Sequence, residues 1–133
     1  MDRLEDLVGD LGAAMSPSAR GGWVVRVPTE RRGEIAAHVV ERERTVAIRA
    51  FVMRGPDRAH ADVYRRLLGK NLEPGPWRLA LDADGDIVAA AYLERDGLDA
   101  DRLDSVLGAL SSLVDEIFDG ILRTGFVVPD AAR

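Results

Sequence analysis

Residues 77 to 93 carry the most restrictive pattern in the sequence, because two apolar runs flank an Asp-Gly turn. Such a turn lets one residue adopt a positive φ while the two strands twist together, so the pattern predicts a β-hairpin. A long amphipathic segment from Leu98 to Phe126 follows directly. Together these two features predict an antiparallel sheet backed by a helix, and neither of them carries a catalytic or metal-binding motif.

Composition narrows the class of protein further. A chain of 133 residues is expected to form one domain, residues 1 to 133, with a core from about 4 to 126 and a frayed C-terminal tail from 127 to 133. The absence of cysteine excludes disulfides, thiolate zinc sites and cysteine nucleophiles. A net charge of -5 argues against nucleic-acid binding. With neither a signal-peptide pattern nor a membrane-length apolar run, we expect a cytoplasmic protein with no membrane partner.

Hydrophobic periodicity and turn residues predict the other elements. The first helix is expected over residues 2 to 15, with Asp2 as its cap, and a break is expected at residues 16 to 22. Asp57 is expected to cap a middle helix that ends at Leu68, with Gly69 after it. The predicted strands are 23–27, 35–40 and 44–53. The resulting order is α-β-β-β-α-β-β-α, an α+β fold in which helices flank an antiparallel sheet.

The strand at 44–53 has two different faces. Alternation places four apolar residues on the core side, namely Val46, Ile48, Ala50 and Val52. The other side combines Arg49 with Phe51 and Met53. This second face is therefore either partly covered by a neighbour or available to one.

The sequence contains no complete motif for metal binding or catalysis. Asp82, Asp84 and Asp86 alternate as calcium ligands do, but the glycine and the bidentate glutamate of an EF-hand loop are not at the required positions. These aspartates are instead expected to form the turn. His38 and His60 have no companion at ligand spacing, and neither a nucleophile elbow nor a phosphate-binding glycine loop occurs. The sequence predicts no catalytic residue, no metal and no cofactor.

Three segments resemble the YbjN family of bacterial sensory transduction regulators. They are the hairpin Leu79-Ala-Leu-Asp-Ala-Asp-Gly-Asp-Ile-Val88, the helix opening Leu98-Asp99-x-x-x-Leu103 and the segment Arg66-Leu-Leu-Gly-Lys-Asn-Leu72. That family shares its fold with the type III secretion chaperones typified by the Tir chaperone. The resemblance implies a curved antiparallel sheet with helices packed on it, a homodimer, and a binding role rather than catalysis.

The first functional hypothesis is a non-enzymatic module that binds a protein or peptide on an exposed sheet face or edge, with Arg49, Phe51 and Met53 as candidate partner-binding residues. The alternative is a small-molecule sensor or a minor enzyme. Its pocket would lie between the sheet and the last helix and would use residues such as Arg49, Tyr64 and His38.

Self-association is the last prediction from the sequence. The middle helix and the widened apolar stripe of the last helix offer more apolar surface than one sheet can readily cover. We therefore expect a homodimer with Val63, Tyr64, Leu67 and Leu68 at its interface. The alternative is a monomer with scattered surface leucines.

Overall fold

The computed structural model describes residues 4–10, 15–19 and 21–127. Three helices and six strands lie within these residues. In chain order they are α1 (Leu4–Asp10), β1 (Met15–Pro17), β2 (Trp23–Val27), β3 (Ile35–Glu41), β4 (Thr45–Met53), α2 (His60–Lys70), β5 (Arg78–Leu81), β6 (Ile87–Glu94) and α3 (Ala100–Gly125).

The six strands form one antiparallel sheet in the order β1-β2-β3-β4-β6-β5. The first four strands are neighbours in space as in sequence. After α2 the chain returns to the far edge as β5, and the hairpin turn then brings β6 back to pair with β4. The predicted α+β fold, an antiparallel sheet with flanking helices, is confirmed.

The strand β1 is the element that the sequence prediction missed. Ser16 pairs with Val24 and Pro17 pairs with Trp23, so the predicted break contains a short edge strand. Proline is tolerated there because an edge strand has one side on which no backbone donor is needed. Met15 was assigned to the first helix, and this was wrong, since it begins β1. The predicted cap Asp2 and residues 11 to 14 lie outside the described part of the chain.

One face of the sheet forms the core. Alternate residues of β2, β3, β4 and β6 are buried there, and so is the apolar stripe of each helix. The side chains that fill the centre are at most 2% exposed: Leu7, Val25, Ile35, Val39, Val46, Ile48, Val52, Ile87, Leu103, Leu110 and Ile121. The four residues of β4 that alternation placed on the core side are all buried, as predicted.

The long helix α3 starts as the sequence predicts. The Asp99 carboxylate accepts a hydrogen bond of 2.8 Å from the backbone N–H of Arg102, which satisfies one of the unpaired donors of the first turn. Leu98, which precedes the cap, is buried. Farther along, the indole N–H of Trp77 donates to the Val106 carbonyl at 2.7 Å and ties the α2–β5 connection to α3. Gly125 is the last residue of the helix.

The middle helix α2 starts later and ends later than predicted. Its cap is Ala59, with φ of 52° and no capping side chain, and Gly69 lies within the helix, which ends at Lys70. Asp57 does not cap it, because its carboxylate binds the Arg54 guanidinium at 2.5 Å and the Val127 N–H at 3.0 Å. Asp57 therefore fastens the β4–α2 loop to the end of α3.

Candidate functional site

The second face of the sheet is not covered by any helix that the structure describes. The buried side chains of α1, α2 and α3 all join the core on the opposite face. We call the uncovered side the open face. Its described residues include Val24, Arg26, Ala36, His38, Val40, Ala47, Arg49, Phe51, Arg78, Ala80, Val88, Ala90 and Tyr92.

The strand register arranges the open face into three rows that cross the strands. In the central row His38 lies beside Arg49, Arg49 lies beside Ala90, and Ala90 lies beside Arg78. On one side, Phe51 pairs with Val88; on the other, Ala47 pairs with Tyr92. Residues two apart on a strand are separated by about 7 Å. A basic row therefore lies between two apolar rows at that spacing.

Both aromatic side chains of the open face reach solvent. Phe51 is 44% exposed and Tyr92 is 70% exposed, whereas Val88 beside Phe51 is only 5% exposed. Phe51 was predicted to lie on this face. Tyr92 was missed, although alternation from Val88 and Ala90 along β6 would have placed it there. Large apolar side chains grouped on an uncovered face are the usual composition of a protein interaction surface.

Arg49 supplies an unneutralised positive charge at the middle of this surface. Among the described residues no carboxylate forms an ion pair with it. Two other arginines are paired, since Arg26 in β2 reaches Glu34 at 3.6 Å and Arg95, which follows β6, reaches Glu41 at 2.8 Å. Arg78 in β5 donates to the carbonyls of Gly75 and Trp77. Arg49 is exposed, so its guanidinium is free to meet an anionic group of a partner.

These residues line a shallow concavity of about 490 Å³ on the open face. Its floor includes Arg49, Phe51 and Tyr92. At one end stands the β5–β6 turn with Asp82 and Asp84, and at the other end lie Arg42 and the loop before β2. The concavity is open to solvent along its length and has no enclosed chamber of the kind that small-molecule sites provide.

The three aspartates at the end of the concavity form the turn, as the sequence predicts. Asp82 accepts hydrogen bonds from the N–H groups of Asp84 and Asp86, at 2.9 and 3.0 Å. The Asp86 carboxylate in turn accepts from the Gly55 N–H at 2.9 Å. Gly85 has φ of 82°, which is the positive φ expected of the Asp-Gly pair. The carboxylate oxygens lie within 4.8 Å of one another, and two of the three carboxylates are used in backbone hydrogen bonds.

Met53 does not belong to the open face, so that part of the prediction was wrong. The pairing of β4 with β6 shifts by one residue between Phe51 and Met53. A bulge of this kind turns the following side chain to the other face. Met53 is consequently 7% exposed and joins the core.

The predicted dimer residues divide between core and surface. Val63 and Leu67 are 0% and 4% exposed, so they are part of the core and are not available to a second subunit. Tyr64 is half-buried, with its ring at 5.9 Å from the ring of His60. Leu68 is 67% exposed, and the neighbouring Leu72 is 89% exposed. The available apolar surface of α2 is therefore at its C-terminal end.

The three residues proposed to line a small-molecule pocket, His38, Arg49 and Tyr64, are also separated. His38 and Arg49 are cross-strand neighbours on the open face. Tyr64 packs against the core from α2, on the other side of the sheet. The structure does not bring these three residues into one pocket. Between β2 and α3 it has a separate surface groove of about 320 Å³, beside Leu107 and Gly108.

The free edge of β5 is closed by a side chain. The Asn71 amide accepts a hydrogen bond from the Leu79 N–H at 2.8 Å and donates to the Leu79 carbonyl at 3.0 Å. These are the two backbone groups through which another strand would pair at this position. Asn71 thus occupies, at Leu79, the place that an added strand would take.

The charged groups with shifted pKa values stabilise the helical side of the fold. The hydrogen bond from the Arg54 guanidinium lowers the pKa of Asp57 to about 2, and the same bond raises the pKa of Arg54. Arg54 also lies over the Phe126 ring, 4.7 Å from its centre. Hydrogen bonds to Glu116 and Glu73 raise the pKa of Lys70. None of these groups belongs to the open face.

Comparison with known proteins gives a family and a fold. Residues 4–117 match the sequence model of the Tir chaperone protein (CesT) family. "Uncharacterized protein Rv0487" of Mycobacterium tuberculosis is 37% identical over 103 residues, which cover 77% of this chain and 56% of that protein. The chain thus spans little more than half the length of this relative. No helix in the described residues is long and apolar enough to cross a membrane.

Two solved structures have the same fold at low sequence identity. YbjN from E. coli superimposes with a TM-score of 0.64 at 15% identity, covering 88% of this chain and 90% of its own. The Yersinia Pestis type III secretion chaperone SycH, solved in complex with a stable fragment of YscM2, gives a TM-score of 0.56 at 19% identity. That match covers 84% of this chain and 92% of the SycH chain.

Proposed function

The chain belongs to the Tir chaperone protein (CesT) family, and we propose that it is a non-enzymatic, chaperone-like or regulatory module that binds a segment of another protein on its open face. The relative in M. tuberculosis is longer than the matched region, so the proposal concerns this domain. A cytoplasmic location remains a prediction from the sequence.

The observation that carries the proposal is the pair of exposed rings around Arg49. Burying the exposed part of one such ring, on the order of 100 Å², is worth about 2.5 kcal/mol. Both rings remain exposed to water, while the opposite face of the sheet is buried in the core. A partner that covers this surface would gain this free energy without any change in the fold.

Similar proteins support the kind of partner. SycH is described as a type III secretion chaperone and was solved with a protein fragment bound. Its likeness to this chain shows the fold alone, and we take from it only that this fold accommodates a protein segment. The identity of the segment for this chain has to come from the chemistry of its own surface.

Site-specific photo-crosslinking tests the proposal. A benzophenone amino acid placed at Tyr92 should crosslink protein in a lysate of the native host. The same group placed at Arg65, whose side chain is 81% exposed on α2, should not give those products. A second change, Phe51→Asp, should remove the products at Tyr92. Equal products at both positions, or none at Tyr92, would contradict the assignment of the open face.

A homodimer is the second part of the proposal, and its interface differs from the one that the sequence indicated. Leu68 and Leu72 project from the end of α2, whereas Val63 and Leu67 are buried. A twofold contact through Leu68 and Leu72 would bury both side chains on both subunits. Light scattering should give twice the chain mass of 14.5 kDa, and Leu68→Asp with Leu72→Asp should return it to one. A mass of one chain for the unmodified protein would contradict the dimer.

A further inference from the structure

We infer that the open face selects an extended segment with an acidic side chain between two apolar ones at alternate positions, the pattern apolar-x-acidic-x-apolar. This inference rests on the proposed function, because it names the chemistry of the segment that the open face would bind. It goes beyond that function by specifying the sequence pattern of the segment and by naming Arg49 as the residue that recognises it.

The spacing of the pattern follows from the rows of the open face. The Phe51–Val88 row, the Arg49–Ala90 row and the Ala47–Tyr92 row are each two residues apart along β4 and β6. An extended segment lying along these strands also directs every second side chain towards the sheet, about 7 Å from the previous one. Three successive downward side chains therefore meet an apolar row, a basic row and an apolar row.

The charge of the central position follows from Arg49. Its cross-strand neighbours are His38 and Ala90, and neither can neutralise it. The protein as a whole carries a net charge of -5, so the charge of Arg49 is opposite in sign to that of the whole chain. A carboxylate of the segment would form with Arg49 the charge-assisted hydrogen bonds that no described residue of the chain supplies.

The ends of the concavity restrict the pattern further. Asp82 and Asp84 stand at the Phe51 end, and Asp84 is exposed. A second carboxylate placed beyond the apolar residue at that end would meet like charge. The acidic residue is therefore required at the centre and is disfavoured at the position next to the turn.

A reciprocal charge exchange tests the inference. The probe is a fluorescent synthetic peptide, Thr-Leu-Thr-Glu-Thr-Leu-Thr, with two comparison peptides. One replaces Glu by Lys. The other has the same composition in the order Thr-Leu-Thr-Leu-Thr-Glu-Thr. Fluorescence anisotropy should show the first peptide binding roughly five- to tenfold more tightly than either comparison peptide.

Two protein variants assign the preference to its residue. Arg49→Glu should reverse the order, so that the Lys peptide binds more tightly than the Glu peptide. Arg65→Glu makes the same charge change on the exposed surface of α2 and should leave the order unchanged. Both positions are exposed, and equal midpoints of thermal unfolding will show that both variants fold.

The results distinguish a failure of the sequence pattern from a failure of the proposed binding function. An unchanged preference in Arg49→Glu, or equal binding of the permuted peptide, would overturn the pattern. Absence of measurable binding by the Glu peptide at millimolar concentration would also count against it. If crosslinking at Tyr92 still succeeds in these cases, the binding function stands and only its specificity is wrong. If that crosslinking fails as well, the function itself is wrong.

Discussion

Replacing Leu67 by Ala should destabilise the protein strongly, whereas replacing the adjacent Leu68 by Ala should not. Leu67 is 4% exposed within the core, and Leu68 is 67% exposed on the outer side of the same helix. Removing a buried leucine side chain costs about 2–5 kcal/mol, because both the transfer free energy and the packing around the cavity are lost. An exposed leucine in a helix contributes less than about 0.5 kcal/mol on truncation.

Thermal and urea unfolding measure the difference. A loss of about 3 kcal/mol in a domain of this size lowers the unfolding midpoint by roughly 10 °C. Leu67→Ala should show a shift of that size with an unchanged urea dependence, and Leu68→Ala should stay within about 2 °C of the parent in dilute protein. Because both changes remove the same atoms from neighbouring positions, helix propensity cancels in the comparison.

The reasoning would be refuted if the two variants lost similar stability in dilute protein, or if Leu68→Ala lost more. Either result would mean that α2 presents a different side to the core. A cost for Leu68→Ala that grows with protein concentration would have a separate meaning. It would indicate that a second subunit covers Leu68, since the stability of a dimer depends on its concentration.

Three further predictions concern the contacts that hold the elements together. Asn71→Ala leaves two backbone groups of the β5 edge without their partner, so it should cost about 1–3 kcal/mol in urea unfolding and should increase self-association by light scattering. In the folded protein the pKa of Asp57 is about 2, against an ordinary value of 3.8. Its contribution to stability is therefore present above about pH 4 and is lost as the pH falls towards 2. Asp57→Asn should make the free energy of unfolding depend less on pH over that range. Gly125→Ala places a methyl group 2.6 Å from the Val63 side chain and should lower stability by about 1–3 kcal/mol, whereas Gly108→Ala, in the same helix with open space around it, should raise the midpoint.

The sequence was sufficient for the elements whose signals are local. The hairpin turn depends on the side chain of Asp82 and the positive φ of Gly85, and both lie within the turn itself. The start of α3 depends on Asp99 and on a backbone N–H three residues later. Patterns of this kind are complete within a few residues, so they can be recognised without knowledge of the fold.

The sequence predictions were wrong where a distant part of the chain determines the local structure. Asp57 would be a good cap by its position, but its carboxylate is held by Arg54 and by the backbone of Val127, which is 70 residues away. Met53 follows the alternation of β4 only until the bulge, and the bulge is a property of its pairing with β6. The strand β1 has three residues and is defined by its partner β2. None of these features can be recognised from a few consecutive residues.

The two proposed surfaces can be separated by experiment because they lie on opposite sides of the sheet. Leu68 projects from α2, which packs on the core side, and Arg49 belongs to the open face. Leu68→Asp combined with Leu72→Asp should therefore reduce the mass in light scattering while the preference for the Glu peptide stays unchanged. Arg49→Glu should reverse that preference while the mass stays the same. If one variant changed both readouts, the sheet would not separate the two surfaces, and the peptide would have to bind across the contact between subunits.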